Sequence, residues 1–62
     1  MKFKVVLNGD LDSNEGEIDV KTIDDLKALD EKYKAKLNGE YYGMIVDFEQ
    51  ETIFLMDTLP EG

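Results

Sequence analysis

The chain reads as an α+β domain of order β-β-α-β-β: a four-stranded, mostly antiparallel sheet with one helix packed on one face. Three observations predict it. Hydrophobic side chains alternate with period two before residue 21 and again after residue 40, whereas those between recur at helical spacing. The breaks Asn8-Gly9 and Asn38-Gly39 fall between the periodic runs. The 62 residues suffice for one small domain, 1–58, followed by a short tail, 59–62.

The first strand runs from Lys2 to Asn8, with Phe3, Val5 and Leu7 on one face and Lys2, Lys4, Val6 and Asn8 on the other. A polar stretch from Asn8-Gly9 to Gly16 has the composition of a loop. Residues Glu17 to Lys21 alternate again, with Ile18 and Val20 inward, which makes a hairpin with a long connection. Thr22 is a suitable helix N-cap and Asp25 stands at the capping-box position. Ile23, Leu26, Leu29, Tyr33 and Leu37 then mark one helical face. Asp24 and Asp25 in the first turn and Lys34 and Lys36 near the end match the macrodipole. Gly39 suits the left-handed residue that stops the helix. From Tyr41 to Asp57 the period returns to two, broken only at Glu49-Gln50-Glu51, as expected of a second hairpin. A spatial order 2-1-3-4 would make every neighbouring pair antiparallel and is the preferred arrangement.

One helix covers one sheet face, so the other should be polar. The C-terminal hairpin departs from that rule, since both of its faces carry large apolar side chains. Val6, Tyr41, Ile45, Ile53 and Leu55 are the candidates for an open apolar face, and contiguous patches of that kind mark interfaces. A second copy of the chain or a different protein would cover it.

Composition narrows the chemistry. The formal charge is −8, from fifteen acids against seven lysines, and there is no His, Cys, Trp or Arg. A phosphate binder neutralises charge with Lys and Arg, so nucleic acid and anionic lipid are poor partners. Without Cys or His there is no disulfide and no ordinary zinc site. The one serine, Ser13, has no histidine to activate it. Neither a catalytic site nor a cofactor is expected. Asp10, Asp12 and Asn14 match positions one, three and five of a calcium loop, but Glu15 stands where glycine is needed and Lys21 where the bidentate acid is needed. Loop 10–17 is therefore not expected to hold a dedicated metal site, which leaves weak divalent-cation binding as the alternative. The longest apolar run, Ile53-Phe54-Leu55-Met56, is far too short to cross a membrane, and the absence of Cys fits a reducing cytoplasm.

The charge is unevenly distributed: residues 38–62 carry six acids and no lysine. The expected topology gathers Asp24, Asp25, Asp47, Glu49 and Glu51 at one end of the molecule, with only Lys21 and Lys27 near. That acidic pole would steer a basic protein surface toward the molecule. Two functions are compatible with these features: a protein-binding module that docks through the acidic pole and the apolar face, or a homodimeric structural or regulatory module.

The run from Ile18 to Tyr33, followed by Ile45-Val46-Asp47-Phe48 and by Thr52 to Asp57, resembles short β-β-α-β-β proteins encoded by bacteriophages and prophages. The resemblance is one of patterning and size across most of the chain. It implies a stoichiometric inhibitor of a host protein, sometimes a homodimer, and carries over no functional residue.

Overall fold

The computed structural model describes residues 1–10 and 12–58. Leu11, in the acidic loop, and the expected tail 59–62 lie outside the described residues. The elements are β1 (Lys2–Leu7), β2 (Glu17–Asp19), α1 (Ile23–Leu37), β3 (Met44–Asp47) and β4 (Thr52–Leu55). They form the expected α+β fold, a four-stranded mixed sheet with one helix.

The strand order is β2-β1-β4-β3, which corrects the expected 2-1-3-4. The two hairpins are antiparallel, but β1 and β4 lie side by side in parallel, in register from Lys4 opposite Thr52 to Leu7 opposite Leu55. The physical reason is burial. Central strands are covered on both sides by neighbours, and this order puts the two most apolar strands there. Phe3, Val5 and Val6 of β1 and Ile53 and Leu55 of β4 are all buried. The expected order would have left the Ile53–Met56 run on an edge.

The core is a layer between helix and sheet, built from Phe3, Val5, Leu29, Tyr33, Ile53 and Leu55. Leu26 and Leu37 pack at its margin, but Ile23 stays 68% exposed although it belongs to the expected helical face. At the helix start, Asp25 Oδ2 accepts the backbone N–H of Lys21 at 2.7 Å and of Thr22 at 3.0 Å. These are donors that a helix N-terminus otherwise leaves unpaired. At the other end the left-handed turn begins one residue earlier than expected, with Asn38 at φ 44° and then Gly39 at φ 94°. Asn tolerates this conformation better than other side-chain-bearing residues.

The second hairpin turns through the four residues 48–51, with Asp47 directly opposite Thr52. Asp47 Oδ1 accepts the N–H groups of both Glu49 and Gln50 at 2.9 Å, which shapes the turn in the absence of Gly or Asn. Glu51 closes it in the left-handed region, at φ 50°. At the far end of this hairpin, Tyr42 N–H donates to Met56 O while Met56 N–H donates to Gly43 O. Two residues thus oppose one, a bulge that Gly43 permits at φ 117°.

Candidate functional site

The expected open face is corrected by the register. Ile45 opposes Phe54, and Val46 opposes Ile53, so Ile45 shares its face with Phe54 and not with Ile53 or Leu55. Ile53 and Leu55 point into the helix-covered core and are fully buried. Tyr41 also belongs to the core side. The bulge at Gly43 slips the alternation by one residue, turning Tyr41 inward against the core and leaving Tyr42 exposed. The open face is left with one apolar row, Val6, Phe54 and Ile45, of which Val6 is itself buried and Ile45 is 54% exposed. Phe54 was missing from the expected set because its face depends on the length of the 48–51 turn, which hydrophobic alternation within one strand does not specify.

The acidic pole is also changed. Asp24, Asp25, Asp47, Glu49 and Glu51 do lie at one end of the molecule, where α1 starts and the second hairpin turns. The same end receives the chain N-terminus. The Met1 ammonium sits 3.0 Å from Asp19 Oδ1 and also donates to Val20 O. Lys2 lies opposite Asp19, and Lys4 lies opposite both Glu17 and Thr52. Three cationic groups beyond Lys21 and Lys27 (the Met1 amine, Lys2 and Lys4) thus lie at this end, and the same pairing brings the carboxylates of Glu17 and Asp19 with them. Two of the five pole residues have structural partners as well. Asp25 is held below the ordinary carboxylate range by the N–H groups of Lys21 and Thr22, and Asp47 is engaged by its turn.

The 10–17 loop spends its polar groups on its own backbone. Asp10 Oδ1 accepts Asp12 N–H, Asn14 Oδ1 accepts Gly16 N–H, and the Ser13 hydroxyl oxygen accepts Leu7 N–H at 2.7 Å. Glu15 reaches the helix, where its Oε1 accepts the Tyr33 hydroxyl at 3.0 Å and lies 3.6 Å from Lys36 Nζ. Burial, with the Glu15 carboxylate beside it, pushes the Tyr33 hydroxyl up to about 12. Tyr41 is raised likewise, first by burial and then by its hydrogen bond to Asp30. Among the described residues no charged side chain is buried, and no three Asp or Glu residues come together as metal ligands.

A different surface stands out. Of the five large hydrophobics that are exposed among the described residues, three (Ile23, Tyr42 and Ile45) border β3; Phe48 lies edge-to-face against Phe3 of β1 with ring centroids 5.6 Å apart, and the fifth is Met1. Between α1 and β3 runs an open groove of about 250 Å³, lined by Ile23, Leu26, Lys27, Asp30, Met44 and Val46. That is smaller than the roughly 300–1,000 Å³ of small-molecule pockets. Sequence reasoning found Ile45 here but placed Ile23 in the core. Its helical spacing is sound, and only the position of the helix over the sheet leaves it uncovered. No helix among the described residues is long and apolar enough to cross a membrane.

Comparison with family models, with curated proteins and with solved structures finds no match to this chain.

Proposed function

We propose that the chain is a small, non-enzymatic protein-binding module of the cytoplasm that docks on a larger protein through the surface around β3. The observation that carries this reading is the exposure of Ile23, Tyr42 and Ile45 around β3, beside the apolar groove against α1, on an otherwise strongly charged molecule. Exposed apolar clusters with a polar rim are the usual mark of a protein interface. The −8 charge favours a basic partner by speeding encounter, while the apolar side chains hold the contact. Inhibition of a host protein by stoichiometric binding, as the phage-type resemblance implies, is the form of this activity most in keeping with so small a chain.

The full chain, immobilised and exposed to a bacterial lysate, tests the reading against a variant carrying Ile23→Ser and Ile45→Lys. Both residues are exposed, so the fold is expected to survive. The native chain should retain a protein at about one-to-one stoichiometry, and the variant should lose it by at least tenfold. Equal recovery on both, or none on either, defeats the reading.

A further inference from the structure

The surface around β3 is more than a cluster of side chains, because β3 is also a sheet edge. In its antiparallel ladder with β4, Met56 bonds Tyr42 and Gly43. Counting along the register from there, Ile45 and Asp47 exchange backbone bonds with Phe54 and Thr52. The alternation leaves the N–H and C=O groups of Met44 and Val46 directed away from the sheet. An edge of this kind is a template for one more strand.

The two edges of the sheet differ. The opposite edge, β2, is only three residues long, and its outward-facing backbone belongs to Glu17 and Asp19, whose carboxylates guard it. At β3 the corresponding residues are Met44 and Val46. Their side chains line the groove against Ile23 and Leu26, and exposed Ile45 stands on the other face. A strand added here would meet apolar surface on both of its faces.

We infer that β3 accepts an extended segment of a partner protein as a fifth strand, a segment alternating apolar and basic side chains. This rests on the protein-binding reading and specifies its mode. Apolar side chains of the guest enter the groove beside Met44, Val46 and Ile23. Its lysine or arginine side chains project to the opposite face, where Asp47 stands at the end of β3. Charge decides the occupant. A second copy of the chain would bring −8 against −8 with no arginine to pair across the contact, whereas a basic segment is drawn in by the net charge, although Lys27 stands on the groove wall. A single added strand buries less than the roughly 1,200 Å² of a stable protein interface, so the isolated segment binds weakly and gains affinity only as part of a larger contact.

The probe is a synthetic peptide of about eight residues alternating lysine and valine, titrated to millimolar concentration into the full chain, with amide shifts and hydrogen exchange read residue by residue. Exchange at the Met44 and Val46 amides is expected to slow at least fivefold. Affinity should fall at least tenfold for Ile45→Lys, for a peptide with glutamate in place of lysine, and for a peptide N-methylated at alternate amides. Binding that survives N-methylation means groove contact without strand addition, and overturns the inference. Protection at Glu17 and Asp19, no binding of the lysine peptide, or concentration-dependent protection of Met44 and Val46 without peptide each overturn it too; the last identifies a second copy as the occupant. If the peptide fails while the lysate partner is still lost on Ile23→Ser with Ile45→Lys, the strand mode is wrong and the protein-binding reading stands.

Discussion

Asp25 shows how much one residue decides. The sequence places it at the third helical position after Thr22, and the structure has its carboxylate accepting two backbone N–H groups at the helix entrance. Those hydrogen bonds hold its pKa below the ordinary 3.8. Asp19 is lowered as well, first by its hydrogen bond to the N-terminal ammonium and then by the charge of that group. A carboxylate whose pKa is depressed on folding contributes stability at pH above its unfolded value, and that contribution is lost as pH falls through the folded value. The thermal midpoint is therefore expected to fall as pH drops below about 4. Asp25→Asn should lower the midpoint at neutral pH and make the acid loss shallower, because one proton-linked contribution is gone. Thermal melts across that range check it; an unchanged acid slope means that the carboxylate does not act through its charge.

At the scale of elements, the second hairpin carries the most information. Its strands were legible from alternation, and their faces were not. The four-residue turn sets Ile45 opposite Phe54, and the bulge at Gly43 reverses Tyr41 and Tyr42. Each is a one-residue effect that moves whole sets of side chains between core and solvent. The turn also contains a conformation its residue does not favour. Glu51 stands at φ 50°, a region that costs a side-chain-bearing residue about 1–2 kcal/mol. Glu51→Gly should raise stability by about 1 kcal/mol, since the bond from Lys4 N–H to the residue 51 carbonyl does not involve the side chain. Chemical denaturation measures this, and a loss of stability would mean that the Glu51 side chain contributes more than the backbone strain costs.

For the molecule as a whole, the charge of −8 is spread more evenly than its distribution along the chain suggests. The acid-rich C-terminal half folds beside the lysine-bearing first strand, through the parallel pairing of β1 with β4. Net self-repulsion remains, because seven lysines do not balance fifteen acids. Raising salt from about 10 mM to about 150 mM shortens the screening length from roughly 30 to 8 Å. The thermal midpoint should rise over that range. A falling midpoint would show that local pairs such as Met1–Asp19 and Lys36–Glu15 outweigh the global repulsion.

What the sequence by itself determined is local: the order of elements, the helix with its acidic start, and the inward set Phe3, Val5, Leu29 and Tyr33. These follow from periodicities and capping chemistry that a few neighbouring residues carry. What only the tertiary structure decided is everything that depends on two distant segments meeting: the parallel pairing of β1 with β4, the burial of Ile53 and Leu55, and the exposure of Ile23 beside β3 at the sheet edge. Strand pairing is selected by the total apolar area it removes from water, and no single segment contains that sum.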